Sequence, residues 1–162
     1  MKKLQKEEQK VLTVTSRHKI SAAHRLYDYD GKCEHLHGHN YQIEVEICSD
    51  KTDALGMVID FSKIKSYLFA ELDKLWDHRT LLYEQDPLCK SLQELLQDDS
   101  VRAVPFNPTA ENMAIYLGSS FFPTKLKAMD NQNKLSINRT TVFETENNSA
   151  TWHNSHELSS CQ

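Results

Sequence analysis

The segment from Cys33 to Cys48 constrains the fold more than any other part of the chain. From His37 onward, apolar and histidine residues occupy the odd positions. Polar residues occupy the even positions from Asn40 to Glu46. Successive side chains of a strand point to opposite faces, so this alternation predicts a strand from about His37 to Cys48. His37 and His39 then share the apolar face. Gly38, between them, leaves the opposite face free of bulk.

A second strand is predicted from Val11 to His24, with most of its even positions apolar and His24 at its end. If the two strands pair antiparallel, His24 meets His37 and His39 at one end of the core. Three neutral imidazoles and one open position are typical of catalytic zinc. Surface or hydrogen-bonded histidines are the alternative. His35 has the same parity, but it lies in the preceding loop and is not expected to bind metal.

Cys33 lies four residues before His37 and has three possible roles. As a fourth ligand it would close the metal site. As a thiolate it would be a general base or nucleophile, and otherwise it would be a small buried apolar residue. Its charged neighbours Lys32 and Glu34 make burial unfavourable, so we favour the base.

Two further segments could contribute chemistry. Asp77 and His78 follow a predicted helix, where the carboxylate could orient the imidazole for proton transfer, although capping or surface roles fit equally well. Glu144 is placed inside a late strand. Its carboxylate could accept two parallel N–H bonds from a cyclic, guanidine-like ligand.

The rest of the pattern predicts an α+β fold with helices packed on one face of an antiparallel sheet. The predicted helices begin after Asp60, after Asp86-Pro87 and at 107–112, and the last of them stops around Pro123. The other predicted segments are a polar loop at 126–134, a strand from Ser136 to Thr145 and a short strand from Ala150 to Trp152. A charged arm (1–10), one domain (11–152) and a polar tail (153–162) complete the expected organisation.

Composition narrows the class of function. The chain has 162 residues, 39% of them hydrophobic, a net charge of −4 and a pI near 6.0. No broad nucleic-acid or anionic-membrane surface is expected, and no apolar run reaches the roughly 18 residues that span a bilayer. The four cysteines form no CxxC pair, and the N-terminus does not resemble an export signal. We therefore expect a cytoplasmic protein with reduced thiols.

A family resemblance rests on five motifs in order: Ser21-Ala22-Ala23-His24-Arg25-Leu26, Cys33-x3-His37-Gly38-His39-Asn40, Asp77-His78, Pro108-Thr109-Ala110-Glu111-Asn112 and Glu144-Thr145. Over about residues 11–152 the chain resembles the 6-pyruvoyltetrahydropterin synthase / 6-carboxytetrahydropterin synthase family. The resemblance implies the tunnelling fold, in which a four-stranded antiparallel sheet with helices on one face assembles into an oligomeric β-barrel. It also implies trimers stacked as homohexamers.

The resemblance implies the following roles. Zn²⁺ would lie on His24, His37 and His39, and Cys33 would abstract the proton. Asp77 and His78, from a neighbouring chain, would complete the proton-transfer group. Glu144 would anchor the pterin, and Thr109 would contact it. One branch of the family has glutamate instead of the cysteine, and Glu34 lies next to Cys33 here. The segment 84–104 is longer than in compact members and is expected to be an extra helix without a catalytic part.

The implied substrate is 7,8-dihydroneopterin triphosphate. The three-residue gap between Cys33 and His37 resembles the branch that forms 6-carboxy-5,6,7,8-tetrahydropterin, a queuosine precursor, with loss of triphosphate and acetaldehyde. The alternatives are the 6-pyruvoyl product and an inactive pterin- or zinc-binding module. Candidate cations for the triphosphate are Arg25, Lys32, Arg79, Lys19 and His18.

Overall fold

A long antiparallel hairpin forms the centre of the fold in the computed structural model, which describes residues 12–129 and 135–155. Strand β1 (Leu12–His24) pairs with β2 (His37–Ser49) along their whole length, from Leu12 opposite Ser49 to His24 opposite His37. The predicted strands and their antiparallel pairing are confirmed. Because the pairing has no slip, the alternation of each strand places His24 on the same face as His37 and His39.

The hairpin belongs to a mixed six-stranded sheet, in the order β4-β3-β1-β2-β5-β6. The other strands are β3 (Arg79–Tyr83), β4 (Val101–Val104), β5 (Ser136–Phe143) and β6 (Ser149–His153). The strands β1, β2, β5 and β6 form the predicted antiparallel part. The expectation of only four antiparallel strands was wrong, because β3 pairs parallel with the end of β1, and β4 pairs parallel with β3.

The helices begin where the sequence predicts. Asp60, Asp86 and Thr109 each accept a hydrogen bond from a backbone amide in the first helical turn, and Pro87 follows its cap directly. The α-helical segments are α1 (Phe61–Lys63), α2 (Ala70–Trp76), α3 (Pro87–Leu96), α4 (Ala110–Tyr116) and α5 (Phe122–Met129). Wider π-helical turns at Ile64–Phe69 and Leu117–Phe121 join α1 to α2 and α4 to α5.

The last helix continues past Pro123, so the predicted stop there and the predicted loop from residue 126 were wrong. Pro123 is the second residue of α5, directly after the π-helical turn. Leu126 is buried in the core, which explains why the chain stays helical to Met129.

Most helices cover the sheet face that carries Tyr41, Ile43 and Val45, and the main core lies between them. Helix α3 packs on the other face. Cys89 forms a separate buried cluster with Leu82 and Val101, whereas Leu81 belongs to the main core. The expectation that all helices share one face was therefore wrong. The 84–104 segment adds a strand as well as a helix, which makes the sheet wider at this edge.

Some predictions fall outside the described residues. The arm 1–10 lies there entirely, as do residues 130–134 and most of the proposed tail, although His153 is the last residue of β6. Within the described ranges, no helix combines the length and apolar character needed to cross a bilayer.

Candidate metal and active site

Three imidazoles meet where β1 ends and β2 begins. One nitrogen from each of His24, His37 and His39 lies within 4.8 Å of the other two. The ring centroids are 4.5 Å apart for His24 and His37, 5.2 Å for His24 and His39, and 5.0 Å for His37 and His39. The strand register brings the three side chains together, as the sequence pattern predicts. His35 is not part of this cluster.

Backbone carbonyls orient two of the rings. The Nδ1 of His24 lies 2.8 Å from the carbonyl of Pro108, and the Nδ1 of His37 lies 2.7 Å from the carbonyl of His35. A carbonyl only accepts, so Nδ1–H donates in both and Nε2 keeps its lone pair. The Nε2 atoms of His24 and His39 are buried without a hydrogen-bond partner. Three imidazole nitrogens, two of them on rings held by a second hydrogen bond, fit a divalent metal such as zinc.

His24 is held in the neutral form that a metal requires. Burial, and to a lesser degree the neighbouring His37 and His39, lowers the pKa of His24 to about 4, against an opposing contribution from the Pro108 carbonyl. Its side chain is 1% exposed. A neutral imidazole at neutral pH binds a cation without first losing a proton.

Glu144 adds a carboxylate beside the imidazoles. Its Oε1 lies 3.6 Å from the Nε2 of His24 and 3.7 Å from the Nε2 of His39. The residue follows the end of β5 at Phe143 instead of lying inside the strand, as the sequence suggested. The carboxylate therefore faces the histidine nitrogens from the same chain. The cluster thus carries a negative charge next to the candidate metal position.

Tyr41 lies beneath the cluster and was missed as a site residue by sequence reasoning. Its ring centroid is 5.7 Å from that of His24 and 5.5 Å from that of His39, and its hydroxyl is buried without a partner. Burial raises the pKa of Tyr41, and nearby Glu144 and Cys33 raise it further. The only signal in the sequence was its position on the histidine face, two residues after His39.

Cys33 lies on a single 3₁₀ turn, Lys32–Glu34, in the loop between β1 and β2. The thiol is partly exposed and is not in a disulfide. The amide of Leu26 donates a hydrogen bond of 2.8 Å to the carbonyl of Cys33, which closes the loop. The prediction of an accessible loop thiol close to the histidine strands is consistent with this position, and its role as base stays a prediction.

Asp77 and His78 form a hydrogen-bonded pair where α2 ends beside β1. The Nδ1 of His78 lies 2.9 Å from Asp77, which also accepts the amide of Ser21 at 2.8 Å. Burial alone would raise the pKa of Asp77, but the Ser21 amide and the nearby histidines outweigh it and lower the pKa. His78 has a positive φ of 56°, and its side chain is 78% exposed.

His78 lines an open groove of about 420 Å³ together with Ser21, Gly38, Asn40 and the metal-type residue His39. Ser21, Gly38 and Asn40 alternate with the positions that carry the imidazoles, so they belong to the opposite face of the sheet. Among the described contacts, none joins Asp77 or His78 to Cys33 in the same chain. The pair is therefore available to a neighbouring molecule.

Thr109 and the candidate cations have structural partners. The Thr109 hydroxyl caps α4 by accepting the amide of Asn112 at 3.2 Å. Arg25 binds the fully buried carboxylate of Asp86, with Nε at 2.7 Å. This ion pair lowers the pKa of Asp86. Asp86 belongs to the 84–104 segment, which was expected to have no catalytic part. Among the other candidate cations for the triphosphate, His18 contacts Asp73 and Arg79 contacts Asp99. Lys19 and Lys32 are exposed.

The fold and the site together define an α+β protein with a three-histidine metal-type centre at the end of a central hairpin. The family model described as 6-pyruvoyl tetrahydropterin synthase matches residues 13–155. The chain belongs to this family, which confirms the resemblance.

Individual relatives agree with this assignment. The chain is 35% identical to the 6-carboxy-5,6,7,8-tetrahydropterin synthase of Rickettsia bellii, over 85% of this chain and 96% of that protein. It is 28% identical to the 6-pyruvoyl tetrahydrobiopterin synthase of Dictyostelium discoideum, over 86% and 93% of the two chains. The structure of Caenorhabditis elegans 6-pyruvoyl tetrahydropterin synthase superposes with a TM-score of 0.63 at 27% identity, covering 91% and 99%.

Proposed function

We propose that this chain is a zinc-dependent lyase that converts 7,8-dihydroneopterin triphosphate to 6-carboxy-5,6,7,8-tetrahydropterin. The reaction consumes one water and releases triphosphate and acetaldehyde. The observation that carries the proposal is the convergence of His24, His37 and His39, two of them oriented by backbone carbonyls. Zinc held by these residues would supply Lewis acidity toward the side-chain hydroxyls of the substrate.

The remaining steps fall to protein side chains. Glu144, whose carboxylate lies beside His24 and His39, would accept paired N–H bonds from the pterin edge, and Thr109 would contact the same ring. The Cys33 thiolate would take a proton from the side-chain carbon next to the ring. His78, oriented by Asp77, would return protons to the product.

An oligomer would complete the site. We propose a homohexamer, a dimer of trimers, in which a neighbouring copy supplies Asp77 and His78. The exposed side chain of His78 supports this arrangement. The sheet also supports an oligomer. Strand β1 pairs with β3 only from Ala22 to His24, so within the described chain the β1 residues before Ala22 have no strand partner on that side. Light scattering of the purified protein gives the number of copies.

The product assay decides between the two family reactions. Purified protein is incubated with dihydroneopterin triphosphate and zinc, and the products are identified by mass. The proposal predicts acetaldehyde and the 6-carboxy pterin in equal amounts. A 6-pyruvoyl product without acetaldehyde would instead assign the protein to the 6-pyruvoyl-forming reaction. This is the alternative, and the name of the Dictyostelium relative is consistent with it.

A variant of Cys33 tests whether the chain is a catalyst or only a binding module. Cys33→Ala should abolish turnover while the protein still binds one zinc per chain, measured by elemental mass spectrometry. Loss of zinc in this variant would make Cys33 a fourth ligand and the site structural. Wild-type protein that binds the pterin but releases no product would indicate an inactive module.

A further inference from the structure

The loop before α4 touches the candidate site at two separate points: the side chain of Asn107 binds Tyr27, and the carbonyl of the next residue, Pro108, accepts the ring N–H of His24. We infer that Asn107 is a positioning residue that keeps the metal ligand His24 and the Cys33 loop in register with each other. This inference rests on the proposed metal-dependent function. Asn107 acts through backbone groups, and the described contacts show no bond from its side chain to the histidine rings.

The first contact fixes the chain that leaves β1. The amide of Tyr27 donates to the Oδ1 of Asn107 at 2.8 Å, and the Nδ2 of Asn107 donates to the carbonyl of Tyr27 at 2.8 Å. One side chain thus satisfies both backbone groups of a loop residue, as a neighbouring strand would. Tyr27 lies only three residues after His24, so the clamp limits the movement of that end of the strand.

The second contact fixes the carbonyl that orients His24. The backbone carbonyl of Asn107 accepts the Thr109 amide at 2.8 Å and the Asn112 side chain at 3.0 Å. Pro108 is the next residue, and its own carbonyl accepts the Nδ1–H of His24 at 2.8 Å. Loss of the side-chain clamp on Tyr27 would let this loop shift against β1, which would turn the acceptor away from His24 and misdirect its Nε2.

The clamp also reaches Cys33. The residue before Tyr27, Leu26, donates its amide to the carbonyl of Cys33 at 2.8 Å. Asn107 is thus linked to the loop segment that carries the candidate base by its bonds to Tyr27, one residue step and the hydrogen bond from Leu26 to Cys33. Since Asn107 also adjoins Pro108, loss of its side chain should disturb the metal ligand and the thiol together.

Zinc affinity and thiol reactivity test this role without relying on turnover. The variant is Asn107→Ala, and the zinc dissociation constant is measured by chelator competition well below the melting temperature. Loss of a residue that orients a metal ligand typically weakens metal binding by about tenfold or more, and we expect that change here. In the zinc-loaded variant, the rate of Cys33 alkylation, followed by peptide mass, should also differ from that of the wild type.

Asn154→Ala is the matched control. Asn154 also binds a neighbouring strand, donating its amide to Asn138 at 2.9 Å and its side chain to the carbonyl of Ile137 at 3.1 Å, but it is remote from the cluster. This variant should lose thermal stability while keeping wild-type zinc affinity. Asn107→Asp, which keeps the acceptor for Tyr27 and loses the donor, should show an intermediate zinc affinity and serves if the alanine variant does not fold.

Two results would overturn the inference in distinguishable ways. In the first, both Asn107 variants have a lower melting temperature but wild-type zinc affinity and wild-type Cys33 reactivity. The bonds between Asn107 and Tyr27 would then only stabilise the fold. Failure of the wild-type protein to bind zinc would remove the proposed function itself, and the inference with it.

Discussion

His24 should make the metal-free protein lose stability as the solution is acidified. Its pKa is about 4 in the folded chain, against an ordinary value of 6.5. The unfolded chain therefore takes up this proton first, so the stabilisation is fully present above pH 6.5 and is lost as the pH falls toward 4. From these two values, the loss reaches about 2 kcal/mol at pH 5 and about 3 kcal/mol below pH 4.

Urea unfolding of chelator-treated protein measures the effect at pH 7.5, 6 and 5. His24→Gln is the test variant, because its amide can still donate to the Pro108 carbonyl but cannot take up a proton. It should lose about 2 kcal/mol less than the wild type between pH 7.5 and 5. His153→Gln, which removes an exposed imidazole at the end of β6, should follow the wild type.

The reasoning fails if the wild type and His24→Gln lose equal stability over this interval. Excess zinc provides an independent check. Protons and the metal compete for the same nitrogen, so the stability of the zinc-loaded wild type should fall more steeply with acidification than that of the metal-free protein. The same slope with and without zinc would place the bound metal elsewhere.

Three other perturbations have defined outcomes. Gly118→Ala should cost about 1–3 kcal/mol in urea unfolding, because the new Cβ would lie 2.1 Å from a ring atom of Trp152; an unchanged midpoint would contradict this close packing. Asp86→Asn should cost about 3 kcal/mol, because it leaves a partly buried guanidinium without its carboxylate, and a neutral result would make the pair dispensable. Inactive Cys33→Ala and His78→Ala subunits, refolded together, should recover about a quarter of the activity if each site combines two chains, and none if it does not.

The central hairpin and its three histidines could be predicted because they depend on local alternation. The pattern from His37 to Cys48 fixes which side chains share a face, and the antiparallel partner then fixes where His24 must lie. The resemblance supplied the roles of the remaining residues. Geometry alone could not have assigned the thiol of Cys33 or the Asp77-His78 pair to a shared reaction.

The parts that escaped prediction depend on contacts between distant segments. Strand β3 has neighbouring leucines, Leu81 and Leu82, buried on opposite faces, so it shows no alternation that would mark it as a strand. The Asn107 clamp on Tyr27 joins residues 80 apart, and no local pattern records it. Glu144 lies beside the three histidines only because β5 ends next to β2.

The exposed side chain of His78, which has no described contact with Cys33, has a consequence for how the protein must be handled. If each reaction centre draws its proton donor from another copy, then a lone chain has a metal site but no complete machinery. Turnover per chain would then fall on dilution as the assembly dissociates, and the loss would be reversed on concentration. Expression level would then set specific activity as well as total activity.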